Sequence, residues 1–194
     1  GAIFALAHGE SLVTIQKSVF INNSLERIEG VSSDSMGGAV SVDCFGCRVI
    51  MEGNYFEGNQ AQSGGAVFLR GNTRSAETLV ANSTFISNVA KGAGGAIYSN
   101  NAVLVIKHAT FDSNFAVGGG HLYTMLSHID ELSNSVLGEV ASGSGAGCFF
   151  NSAATIANGT YYPSSMAVCQ TGLPGAEAVA DFQVMGVDRS RAIP

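Results

Sequence analysis

The residues of this 194-residue chain whose types could carry chemistry are four cysteines, four histidines and one short acidic run. Cys44 and Cys47 form a single Cys-x-x-Cys within Asp43-Cys44-Phe45-Gly46-Cys47, while Cys148 and Cys169 stand far along the chain. A structural zinc site takes four ligands, and one such pair supplies half of them. Thioredoxin-like redox work wants a helix after the pair, and the surrounding sequence offers none. Two disulfides, Cys44 with Cys47 and Cys148 with Cys169, are therefore expected, as in a secreted chain, with no metal and no cofactor.

The densest ionisable cluster is His128-Ile129-Asp130-Glu131, with His121 nearby. Consecutive residues of a strand point to opposite faces, so this run reads as a solvated loop rather than a catalytic group. His8 and His108 have no recognisable partner and read as surface residues. Asn22, Asn82 and Asn158 each begin an Asn-x-Ser/Thr sequon and are candidate glycosylation sites.

Composition narrows the function classes. The net charge is −6 and nine Lys and Arg residues are scattered, so no basic footprint for nucleic acid exists. No long apolar run spans a bilayer, and no direct membrane insertion is expected. Hydrophobic residues make up 46% and charged residues 12%, enough apolar material for a continuous core, and the 25 glycines point to many tight turns between short strands.

Two short words recur in fixed order and must position everything else. Gly-Gly-Ala followed by an apolar residue begins at Gly37, Gly64 and Gly94, with a truncated copy at Gly1 and a variant, Gly119-Gly120-His121-Leu122. An aromatic followed three residues later by Asn occurs as Phe20…Asn23, Phe56…Asn59, Phe85…Asn88 and Phe111…Asn114. Strand-like stretches such as Val103-Leu104-Val105-Ile106 precede each Phe. A unit this short cannot bury its own apolar face, but copies stacked in register bury one against the next, about 4.8 Å apart.

The spacing thus predicts an all-β, right-handed parallel β-helix (solenoid) of about six coils over residues 1–172, with 173–194 as a C-terminal cap or tail. The stretches from Leu25 to Met36 and from Gly71 to Glu77 read as protruding loops. The Asn side chains are expected to donate to and accept from the next coil, and the Phe rings to stack inside.

Aligning the first word, with Gly145-Ala146-Gly147-Cys148 as a last copy, gives an aromatic column of Phe4, Phe68, Tyr98, Tyr123 and Phe150, interrupted at Ser41. Strand alternation would turn it outward, making a candidate interaction surface. Polysaccharide lyases and epimerases built on β-helices are the rival class, and they need clustered carboxylates on one face. The columns Gln16, Glu52, Ala81, Lys107 and Lys17, Gly53, Asn82, His108 hold no paired acids.

The paired Gly-Gly-Ala-Ile and Phe-x-x-Asn words resemble the repeats of the chlamydial polymorphic membrane proteins. The resemblance covers residues 1–115 best. It implies an extracellular or cell-surface location and a non-enzymatic role in adhesion or in a surface assembly or filament. The partners it implies are other protein chains or surface glycans, within a larger assembly. It assigns no catalytic residue.

Overall fold

The computed structural model describes residues 1–26, 35–71 and 77–150, and the backbone of Ala154–Ile156 and Cys169–Thr171. The two expected loops lie largely outside these residues, as does the expected cap at 173–194. The described chain is a parallel β-solenoid with three long sheets.

Each coil contributes one strand to each sheet in turn. In one central coil these strands are Ile97–Asn100, Val103–Lys107 and Thr110–Asp112. The first sheet holds seven strands, the second six and the third five. Among the described residues, five successive coils supply all three sheets, giving four complete coil-on-coil steps against the expectation of about six coils. A sixth adds Cys148–Phe150 and Ala154–Ile156, and Cys169–Thr171 stacks beyond it.

The glycine word makes the corner that opens each coil. Gly94 has φ +66°, a left-handed conformation that costs an L side chain about 1–2 kcal/mol. A Cβ on Gly95 would collide with the carbonyl oxygen of Gly120 on the next coil. The first glycine therefore turns the chain, and the second lets one coil approach the next.

Register then follows residue by residue. Val40, Val67, Ile97, Leu122 and Cys148 stack inside the first sheet. Met51, Val80, Ile106 and Leu132 stack inside the second. Phe20, Phe56, Phe85 and Phe111 stack inside the third, with ring centroids 4.8, 4.7 and 4.9 Å apart and planes within 7°. Leu137 takes the next place in that column.

The asparagines of the second word form a continuous ladder, half-buried at Asn23 and fully buried from Asn59 onward. Asn59 donates its backbone and side-chain N–H to Asn88 Oδ1 at 3.0 and 2.9 Å, and its amide also donates to the Phe20 carbonyl at 2.9 Å. Asn23 makes the same paired contact with Asn59, and Asn88 with Asn114. The three buried carboxamides are thereby satisfied without water.

A second polar column escaped the sequence reading. Two residues before each core Phe or Leu stand Ser18, Asn54, Ser83, Ala109 and Ser135. Asn54 Oδ1, Ser83 Oγ and Ser135 Oγ each accept a backbone N–H from the preceding coil. The recurring small or polar residue before the Phe was the available signal.

Phe85 is fully buried in the middle of the ring stack. Phe85→Ala should lower the unfolding free energy by about 3–5 kcal/mol, read by urea denaturation. The buried Thr124 Oγ1 has no hydrogen-bond partner among the described residues, so Thr124→Val should raise stability by about 1 kcal/mol in the same assay.

Candidate interaction face

The outer face of the first sheet carries the aromatic column singled out by the sequence. Phe4, Ser41, Phe68, Tyr98 and Tyr123 are register partners in one column. The next member is Phe149, because Tyr123 pairs with Phe149 and Thr124 with Phe150. Phe150 is therefore a correction to the expected column: it lies in the core, 1% exposed.

The reason is a one-residue slip in reading the degenerate copy. His121 and Leu122 both donate backbone N–H to the Gly147 carbonyl, just as Ala96 and Ile97 do to that of His121. Gly147 thus occupies the Ala position of the word, not that of its second glycine. A slip of one residue on a strand exchanges inside for outside.

The column stacks as rings, with centroids 5.5 Å apart from Phe68 to Tyr98, 5.2 Å from Tyr98 to Tyr123 and 5.0 Å from Tyr123 to Phe149. It is not an evenly exposed ladder. Phe4 is 69% exposed, Phe68 and Tyr98 are buried, and Tyr123 and Phe149 are half-buried. The Tyr123 ring lies over the corner at Gly118, where an added Cβ would meet it at 3.3 Å.

Next along the strand, Arg70 holds the Asp43 carboxylate through both oxygens, with Nε donating to Oδ1 at 3.0 Å and Nη2 to Oδ2. The Arg70 guanidinium sits 6.0 Å from the Phe45 ring centre, and His8 stacks on the same ring at 5.2 Å. His8, like His108, is exposed.

Cys44 and Cys47 are joined in a disulfide that closes the corner between the first and second sheets. Cys148 is also disulfide-bonded, and Cys169 is its register partner on the next strand. No group of three or more His, Cys, Asp or Glu placed to hold a metal occurs among the described residues. Asn22 and Asn82 stand exposed at left-handed corners, with φ 54° and 48°. Asn158 lies outside the described residues.

The acidic run is a strand, His128–Ser133, rather than the loop expected. A register shift opposite Leu104 and Val105 accommodates one extra residue there. His128 Nε2 contacts Asp130 Oδ1 at 3.1 Å. Glu131 pairs with Lys107 Nζ at 2.7 Å and accepts from Ser133 at 2.6 Å, and these two hydrogen bonds hold its carboxyl below the usual range.

His121 is not part of that cluster. It replaces the Ala of the glycine word and is fully buried at the end of the asparagine ladder. Asn114 Oδ1 is occupied by two donors from Asn88, so its amide nitrogen faces the Phe85 carbonyl at 3.0 Å and His121 Nδ1 at 3.1 Å. An amide nitrogen only donates, which makes Nδ1 the acceptor and leaves the proton on Nε2, 2.9 Å from the Gly138 carbonyl. The imidazole also leans toward Phe111, 6.1 Å away, where the next coil offers Leu137 in place of a ring.

Comparison with known proteins gives one family match: residues 82–100 match the Chlamydia polymorphic membrane protein repeat. That segment carries one complete Phe85…Asn88 word and one Gly94-Gly95-Ala96-Ile97 word. No curated protein and no solved structure matches the chain.

Burial holds the His121 pKa below its ordinary value, although the Gly138 carbonyl and the Asp112 charge oppose the shift. The unfolded imidazole takes up a proton near pH 6.5, whereas the folded one must be more acidified before it does. Stability should therefore be full above about pH 6.5 and fall as pH drops below it, until the folded pKa is reached. Urea midpoints compared between neutral and mildly acid solution should show that loss, and His121→Leu should show less of it.

Proposed function

We propose that this chain is a non-enzymatic stacking segment of a cell-surface protein, acting in adhesion or as structural material of a surface assembly. The observation that carries the reading is the match at residues 82–100 to a repeat described as that of a membrane protein. In the solenoid this repeat is one rung among several built alike, so the same reading extends to its neighbours along the stack.

The electrostatics of the outer faces support the non-enzymatic part. Asp43, Glu77 and Glu131 are each paired with a cation on an adjacent coil, respectively Arg70, Arg48 and Lys107. Polysaccharide-cleaving chemistry wants carboxylates grouped together and poised to take or give a proton. These three acids are spread over two sheets, and each is committed to a cation on a neighbouring coil.

The outward positions of the first coil favour contact with other protein chains. Leu6, Leu12, Val19 and Ile21 are exposed there, and the next coil presents Asp43, Arg48, Tyr55 and Glu57 in the same columns. Several apolar side chains so placed form a surface that gains by being covered.

Antibodies raised against the folded chain should label intact producing cells, and external protease should remove the signal. Labelling confined to permeabilised cells would refute the surface reading.

A further inference from the structure

The coil opened by His121 is joined unevenly to the coil before it. Four residue pairs link the two in the first sheet and five in the second, whereas the third sheet holds two, Thr110 with Val136 and Phe111 with Leu137. Residues 138–145 then contain no strand. They cross the end of the asparagine ladder on single backbone bonds, such as Ala141 N–H to the Asn114 carbonyl at 3.1 Å and Gly145 N–H to that of Ala116 at 2.9 Å. His121 ties the ladder to this crossing from inside, between the Asn114 amide and the Gly138 carbonyl.

That tie has a fixed polarity. Asn114 Oδ1 accepts the Asn88 backbone N–H at 2.9 Å, and the Asn114 amide nitrogen donates to the Phe85 carbonyl at 3.0 Å. A backbone N–H only donates and a carbonyl only accepts, so the amide cannot turn over without losing both bonds. A second proton on the imidazole would sit on Nδ1 and face the amide N–H across 3.1 Å. The charged ring would keep one acceptor, the Gly138 carbonyl, in a fully buried place. Asp112, on the third-sheet strand, acts on the ring through its charge, and Glu139, beside Gly138, is the other titratable side chain on the strand and the crossing.

We propose that residues 136–145 form an acid-released latch, which a neutral His121 holds against the preceding coil and a protonated His121 lets open to water while the first and second sheets stay paired. A buried charge with a donor set against it must reach water, and the third-sheet side is where the fewest pairs have to break. Each coil of a solenoid is held by its neighbours alone, so the opening stops at Asn114 instead of travelling down the ladder. Release uncovers Leu137 and the Phe111 ring, both fully buried while the latch is shut. The proposal does not depend on the cellular location proposed above.

The test is amide hydrogen exchange of the whole 194-residue chain, read by mass spectrometry and corrected for the intrinsic effect of pH. Residues 136–145 should exchange about tenfold faster near pH 5 than near pH 7, because an opened imidazole with its ordinary pKa of about 6.5 gains a proton in that interval. Residues 84–90, in the middle of the ladder, should show no such change. His121→Gln keeps an acceptor toward Asn114 and a donor toward Gly138 without titrating, so in that variant 136–145 should stay protected at both pH values. If the variant fails to fold, NMR of the histidine side chains in the unaltered chain decides the matter: His121 should titrate over the same pH range in which exchange of 136–145 rises. Unchanged exchange of 136–145 near pH 5, a rise spread evenly along the ladder, an equal rise in His121→Gln, or a rise that does not follow the His121 titration would each overturn the proposal.

Discussion

A primary amide buried without partners costs several kcal/mol, and this molecule buries one in each of three successive coils, at Asn59, Asn88 and Asn114. What makes that tolerable is repetition at the strand spacing. Each Asn oxygen accepts two N–H groups from the Asn of the preceding coil, and each amide nitrogen returns a bond to the backbone of that same coil. The bonds exist only when Asn stands over Asn. The ladder therefore punishes any slip, and the phenylalanine stack three residues earlier, the glycine corners and the apolar columns are held to the same alignment.

The constraint also explains how the ladder stops. The fifth coil has no Phe and no Asn at the matching places, which would leave an Asn114 proton unpaired and a hollow above the Phe111 ring. His121 answers both needs by projecting inward from the alanine position, accepting from Asn114 and leaning on Phe111. A residue that the sequence sets near the densest ionisable cluster is thus a core histidine whose protonation state is dictated by an amide that can only donate.

Much of the architecture was legible because a solenoid writes its contacts into its spacing. The words at Phe56…Asn59 and Gly64-Gly65-Ala66 indicate parallel stacking, the buried ring column and the amide ladder without reference to any distant pairing. Legibility failed where the word was degraded. In Gly145-Ala146-Gly147-Cys148 either of two glycines could be matched, and the choice exchanged Phe149 for Phe150 between surface and core. The exposure of the aromatic column was also beyond the sequence, since alternation says only which way Phe68 points and not that its surroundings close over it. The serine and asparagine column at Asn54, Ser83 and Ser135 was visible in principle, but Ser is too common in this chain to stand out without geometry.

The asparagine ladder has a consequence for how such a chain can change over generations. Every one of its bonds reaches only to the adjacent coil, and the surface that one coil presents upward is the surface the next one presents in turn. A recombination event that copies or deletes one whole coil between Asn59 and Asn114 rejoins like with like, leaving no amide stranded and no ring without a neighbour. The coil opened by His121 lacks this interchangeability, because its imidazole fits only where the ladder ends. Whole coils can therefore be gained or lost within the ladder, whereas the His121 coil can only follow its last rung, so that the histidine marks a fixed point in an otherwise elastic gene.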